Sequence, residues 1–154
     1  MEILTRIVSH KKALGALLHS GAALNHRGNL AGVMKIEKLY ALPVLLSGTA
    51  SLVLSKAEEN ILNNHYTGTL KKLLKACPNT PQSFVHFTRA SLPVFAFLHL
   101  RQLDLFSMIS RLTDDPLNLH ARNVLTTHSR TSKSWFMKVR YLCLQYDMPH
   151  PLQL

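Results

Sequence analysis

Apolar residues recur at helical spacing along almost the whole chain. Ile3, Ile7, Leu14, Leu17 and Leu18 share one face of a first helix, with Lys11 and Lys12 off that stripe. Ser20-Gly21 and the stretch Asn25 to Asn29 read as a stop and a polar loop. A second helix is expected from near Leu30, with Val33, Ile36, Leu39 and Tyr40 as its apolar face. Pro43 should kink or break it, because proline lacks the N–H and its ring clashes with the preceding turn. Val44 to Leu54 is apolar enough to be buried on all sides. Ser55-Lys56-Ala57-Glu58 matches the capping box, in which the serine oxygen accepts from a backbone N–H and the glutamate reaches back. The helix that follows turns Ile61, Leu62, Tyr66, Leu70, Leu73, Leu74 and Cys77 inward and stops at Pro78-Asn79. Thr80-Pro81 and Asp115-Pro116 each offer a cap residue followed by proline at the first helical position.

Ser91 to Leu112 is the most apolar stretch, carrying Val94, Phe95, Leu98, Leu103, Leu105, Phe106, Ile109 and Leu112. Its charges, Arg101, Asp104 and Arg111, are sparse, so it is expected at the centre. A last helix begins near Thr131 or Ser132 and aligns Trp135, Val139, Leu142, Cys143 and Tyr146. Met148-Pro149-His150-Pro151 ends it. No stretch alternates as a strand would, and no repeat or long linker interrupts the pattern. The expected fold is all-α, an irregular bundle of about six or seven helices forming a single helical region over residues 1–154.

Composition narrows the partners more than the fold. The chain has 154 residues, 47% hydrophobic, which fits one domain or part of a larger protein and excludes wholesale disorder. Its net charge of +10 favours an anionic partner, nucleic acid or an anionic membrane surface. The longest uncharged stretch, Leu39 to Ser55, holds Pro43 and Gly48 and is 17 residues long. Crossing a bilayer takes about 20 mostly apolar residues, so no membrane span is expected. Cys77 and Cys143 are the only cysteines and read as buried free thiols of a reducing compartment. No secretory signal is visible. The expected location is intracellular, with nucleus and cytoplasm undistinguished.

No enzyme motif appears: no Gly-rich phosphate loop, no G-x-S-x-G elbow and no H-E-x-x-H. The nine histidines form no i, i+4 pair and none stands beside a cysteine at a zinc-like spacing, so neither a metal nor a cofactor is expected. His65 and His99 fall within apolar helices and read as partly buried, hydrogen-bonded side chains. Asp114-Asp115 superficially looks like a polymerase metal pair. It follows a helix and precedes Pro116, however, and Asp115 as an N-cap accounts for it.

Two basic clusters carry the candidate chemistry. Lys71, Lys72 and Lys75 crowd the end of the capped helix, and Lys71 and Lys75 share a stripe with Asn64 and Gly68. They suit either a solvated helix end, where cations complement the dipole, or contact with phosphates. Arg130, Lys133, Lys138 and Arg140 are interleaved with Trp135, Phe136 and Tyr141. Basic residues among aromatics can hold a nucleic-acid backbone and stack its bases, although Trp135 itself lies on the core stripe.

Several segments, in order, resemble the region downstream of the palm domain in non-LTR (LINE-type) retrotransposon reverse transcriptases. Tyr40-Ala-Leu-Pro-Val-Leu-Leu-Ser-Gly48 is similar to that region's Y-x-x-P-x-L-x-x-G segment, with Ser47 where an aromatic residue is common. Ser91-Leu-Pro93, Leu98-His-Leu-Arg-Gln-Leu103, Ser134-Trp-Phe136, Arg140-Tyr-Leu-Cys143, Gln145-Tyr146 and Pro149-His-Pro-Leu152 follow at suitable distances. Lys12-Ala-Leu14 and Leu17 resemble its first helix. The resemblance covers nearly the whole chain and implies a helical thumb and C-terminal fragment without catalytic residues, since nothing here matches the family's aromatic-x-Asp-Asp hairpin.

Such a region grips template–primer through phosphates, which position the duplex rather than read its sequence. The implied partners are RNA or an RNA–DNA hybrid, recognised by shape and backbone. They also include the missing palm domain, or another protein, at an exposed apolar face. That face is expected as an apolar patch of more than a few hundred Å² near Leu42 to Leu54. The alternatives are a helical protein-interaction module and a decayed retroelement copy with no retained activity. A free-standing enzyme is disfavoured by the missing motifs.

Overall fold

The computed structural model describes residues 2–19, 30–89, 91–111, 116–127 and 134–148. Among these the fold is all-α, as the periodicity predicts. The elements are α1 (Glu2–His19), α2 (Leu30–Ile36), a π-helical turn (Glu37–Ala41), α3 (Leu42–Leu46), a 3₁₀ turn (Thr49–Ser51), α4 (Lys56–Leu73), α5 (Gln82–Thr88), α6 (Val94–Ser110), α7 (Pro116–Thr127) and α8 (Trp135–Gln145). The chain divides into two compact units, one comprising Met1–Ser47 and Ser55–Phe95, the other Gly48–Leu54 and Ala96–Leu154.

In the first unit α1 packs against α3 and the π turn, and α4 packs against α5 and α1. Ile3, Ile7, Leu45, Leu46, Leu62, Tyr66, Leu70 and Val85 fill its core. Each such aliphatic side chain removed from water contributes roughly 1.5–3 kcal/mol. Leu14 and Leu17 are half-buried, so the α1 stripe runs as expected, with Lys11 and Lys12 exposed. The capping box is complete. Ser55 Oγ accepts from the Glu58 N–H at 3.3 Å, and the Glu58 carboxylate accepts from the Ser55 backbone N–H at 2.8 Å. That second contact holds the exposed Glu58 carboxyl below its ordinary pKa.

The second helix departs from expectation. Leu39 and Tyr40 are 58% and 63% exposed, while Glu37 and Ala41 are buried in their place. The cause is the π turn. The Leu42 N–H bonds five residues back to the Glu37 carbonyl, so one extra residue enters the turn and the apolar face rotates. Pro43 is the second residue of α3, so the chain stays helical there while its α-helical ladder is interrupted just ahead of the proline. The helix runs through it, because the widened turn accommodates a residue that cannot donate to the preceding turn.

The expected exposed patch near Leu42 to Leu54 is also corrected. Leu42, Leu45, Leu46 and Leu54 are all buried, and α1 covers α3. Within that range Ser47, Gly48, Ser51 and Val53 are exposed, so it is not buried on all sides either. Leu42, Leu45, Leu46 and Leu54 therefore contribute nothing to such a face, and Val53 is the exposed large apolar residue of the segment.

Smaller differences have local causes. Ile61 and Cys77 are exposed rather than inward; Cys77 lies beyond the end of α4, off its helical phase. Thr80 does not cap α5, since Pro81 is extended at the N-cap position and the helix opens at Gln82. Ser91 to Pro93 stay outside α6, as the restriction that proline places on its preceding residue favours.

In the second unit Phe106, Ile109, Phe136, Val139 and Cys143 form one cluster, with Leu103, Leu105 and Trp135 packed against it. Leu98 and Leu142 are fully buried. Two side chains tie the segment before α4 to these helices. Gln102 Nε2 donates to the Leu52 carbonyl at 2.9 Å, and Trp135 Nε1 donates to the Ala50 carbonyl at 2.7 Å. His99 is buried, with Nδ1 2.8 Å from the Tyr146 hydroxyl. Pro116 opens α7 as the sequence predicts. Ser134 is extended ahead of Trp135, so α8 starts later than expected. The polar loop at Ser20-Gly21 and Asn25 to Asn29, Leu112, the Asp114-Asp115 pair with its N-cap role, Thr131, Ser132 and the stop at Pro149 to Pro151 lie outside the described residues.

Candidate nucleic-acid interface

The first basic cluster sits where α4 ends. Helix α4 closes with a Schellman motif: the Ala76 N–H reaches the Lys71 carbonyl at 2.9 Å and the Lys75 N–H reaches the Lys72 carbonyl at 3.1 Å. The motif needs a left-handed residue, and Lys75 supplies it with φ 52°. Lys71 is committed as well, its ammonium donating to the Pro78 carbonyl at 2.6 Å. Lys72 and Lys75 are exposed and Lys71 is half-buried.

Beside them runs a groove of 350 Å³ lined by Asn64, Thr67, Gly68, Lys71, Lys72 and Gln82, among others. Gln82 fastens α5 to α4, accepting from Asn63 Nδ2 at 3.1 Å and donating to Asn64 Oδ1 at 3.0 Å. Gly68 leaves the groove open, since a Cβ built there would meet nothing within 4 Å.

The second cluster is half visible. Arg130 and Lys133 lie outside the described residues. Lys138 and Arg140 are half-buried on α8, in the second unit. Of the three interleaved aromatics, Phe136 is buried and Trp135 is committed through its N–H. Tyr141 alone is turned out, 60% exposed.

The structure also pairs two histidines that no local pattern marked. Nδ1 of His10 and Nε2 of His65 share a hydrogen bond at 3.0 Å across α1 and α4, with the rings edge to face at 5.1 Å. His10 is fully buried and His65 half-buried. Burial, and then the facing His65, push the His10 pKa down to about 4. Burial lowers His65 too, helped by the ammonium groups of Lys11 and Lys72. Lys11, from the first helix, thus acts on the same imidazole as Lys72. Sixty-one positions separate them in sequence, and only the His65-to-Lys72 interval of seven on one helix face was a readable signal.

Behind this surface lies a buried ion pair between Arg89 and Glu37, whose side chains are 5% and 1% exposed. Arg89 also donates to the Tyr66 hydroxyl at 2.7 Å and to the Met34 carbonyl at 3.3 Å. Burial raises the Glu37 pKa against the pull of Arg89. Burial and the Glu37 charge push Tyr66 up to about 12. His86 meets Thr67 Oγ1 at 3.3 Å and is lowered by burial and by Arg89. This network joins α2, the π turn, α4 and the end of α5, and within it Glu37 Oε1 and His86 Nδ1 are buried without a hydrogen-bond partner.

Among the described residues no three His, Cys, Asp or Glu side chains converge as a metal site would require. No described helix is long and apolar enough to cross a membrane. No family model, curated protein or solved structure matches the chain.

Proposed function

We propose that the chain is a non-catalytic, nucleic-acid-binding helical region of the kind that follows the palm in non-LTR reverse transcriptases, gripping RNA or an RNA–DNA hybrid through phosphates. The motif order from Lys12 to Leu152, the helical fold and the net charge of +10 support this reading. The observation that carries it is uncompensated positive charge on the first unit. Lys11, Lys12, Lys72 and Lys75 are exposed, while the unit's acidic residues are engaged elsewhere: Glu2 with Arg6, Glu37 with Arg89, Glu58 with Ser55 and Glu59 with Lys56. Exposed lysines without carboxylate partners are what phosphate contact uses.

Binding to a primed RNA template tests the proposal. Affinity should fall by up to ~1,000-fold between about 50 and 200 mM salt if about six phosphates are contacted. No binding at low salt, or binding that ignores salt, refutes it. The chain alone should incorporate no nucleotide with magnesium, and reproducible incorporation would refute the non-catalytic part.

A protein-interaction module is the second reading. Phe84 and Phe87, three positions apart on α5, are both exposed, Phe87 by 84%. Salt-insensitive capture of a protein partner, lost on Phe87→Ser, would favour it.

A further inference from the structure

We propose that Lys11, His65 and Lys72 form one phosphate-binding site on the first unit, and that His65 takes up a proton when the phosphate is bound. The site rests on the nucleic-acid reading above and adds its residues and its regulation. Helix α1 brings Lys11 to α4 because its neighbour His10 is bonded to His65 at 3.0 Å. Helix α4 brings Lys72 because His65 and Lys72 are seven residues apart, two turns along one face. Between them Gly68 carries no side chain, and the space a Cβ would enter is empty to 4 Å. Lys72 lines the groove beside Gly68, and Lys11 and Lys72 both act on the His65 imidazole, so an anion on this face of α4 would be drawn by two ammonium groups and an imidazole edge.

The groups facing His65 are His10 and Lys11 from α1 and Lys72 from α4 itself. Helix α5 contributes none, since His86 meets Thr67 and the Arg89 guanidinium following it is held by Glu37 and Tyr66. With no phosphate, burial first and then the ammonium groups of Lys11 and Lys72 hold the His65 pKa below its ordinary value, so the ring is neutral at neutral pH. A bound phosphate reverses the sign of the local field, so a proton from solvent is retained on the ring. The imidazolium then donates Nε2–H to His10 Nδ1 and offers Nδ1–H to a phosphate oxygen. His10 can accept because burial keeps it neutral down to about pH 4. Binding is therefore linked to uptake of one proton and tightens as pH falls.

Fluorescence anisotropy of the full chain with a labelled RNA–DNA hybrid, at about pH 7.5 and about 5.5, reads all of this. Lys11→Gln and Lys72→Gln should each weaken binding about fivefold and lower the salt slope by about one, whereas Lys56→Gln, at the opposite end of α4, should do neither. Wild type should bind more tightly at the lower pH, by at most about tenfold per pH unit for one proton. His65→Gln should remove that pH dependence. Steep, salt-dependent binding that both lysine variants retain in full would overturn the site and leave the nucleic-acid reading standing. Wild-type affinity that does not change with pH would overturn the proton uptake. No binding of the hybrid at low salt would remove the reading and the site together.

Discussion

Replacing Arg89 by methionine removes the one cation that, among the described residues, is ion-paired with the 1% exposed Glu37 carboxylate; Lys38 acts on it more weakly. Methionine keeps much of the length and the apolar stem, so the change is mainly one of charge and hydrogen bonding. Three contacts disappear: those to Glu37, to the Tyr66 hydroxyl and to the Met34 carbonyl. Glu37 Oε1 already lacks a hydrogen-bond partner, so the mutant would leave the carboxylate with no ion-paired cation and only the weaker pull of Lys38. Breaking a buried pair in this way costs about 3–5 kcal/mol. The Glu37 pKa is raised even with Arg89 in place, and it rises further without it.

A carboxyl whose folded pKa exceeds its unfolded value contributes stability below the unfolded value and loses it as pH rises through the folded one. Arg89→Met should therefore be several kcal/mol less stable than wild type near pH 7 and recover part of the loss near pH 5. Adding Glu37→Gln removes the orphaned charge, so the double variant should be more stable than Arg89→Met near pH 7. Urea denaturation followed by far-ultraviolet circular dichroism measures all three. A loss below about 1 kcal/mol for Arg89→Met, the same at both pH values, would refute the reasoning.

Three further outcomes follow from named contacts. Ser55→Ala removes one half of the capping box and should cost about 1 kcal/mol in the same denaturation assay, with Glu58→Ala costing no more than that. Lys75→Gly relieves a left-handed backbone at φ 52° and should stabilise the chain by roughly 1 kcal/mol, seen as a raised urea midpoint. His10 is folded into a site that lowers its pKa from 6.5 to about 4. Its neutral form therefore contributes stability that is complete above about pH 6.5 and lost as pH falls toward about 4, roughly 3 kcal/mol in all. His10→Gln should flatten that part of the pH–stability curve.

Much of the fold was legible because helical period and caps are local signals. The Ser55 box, the Leu62–Tyr66–Leu70 stripe, the Val139–Leu142–Cys143 stripe and Pro116 at a helix start all stand where the sequence places them. What was not legible has identifiable causes. Leu39 and Tyr40 fit an ideal helical wheel, and no residue type announces the π turn that rotates them outward. Lys75 reads as surface charge, although its backbone does the work of a glycine. The pairing of His10 with His65 spans 55 positions, so no search at helical spacing could meet it. Lys11 likewise gains its place only when α1 lies against α4.

The π turn at Glu37–Ala41 makes the chain count differently on its two sides. One residue more than an α-helical turn needs is stored there, equivalent to a rotation of about 100°. Remove any one residue from 37–41 and the turn could close to α-helical width, with a gap in the ladder only where Pro43 has no N–H to donate, but α3 would then turn its Leu45–Leu46 edge away from α1. The stretch behaves as a single-residue insertion held at a fixed place in the helix. A helical wheel or an ungapped alignment drawn straight through it matches the core on one side only. The Tyr40–Gly48 motif begins inside this offset, so its first residue belongs to the solvent face while Leu45 and Leu46 belong to the core.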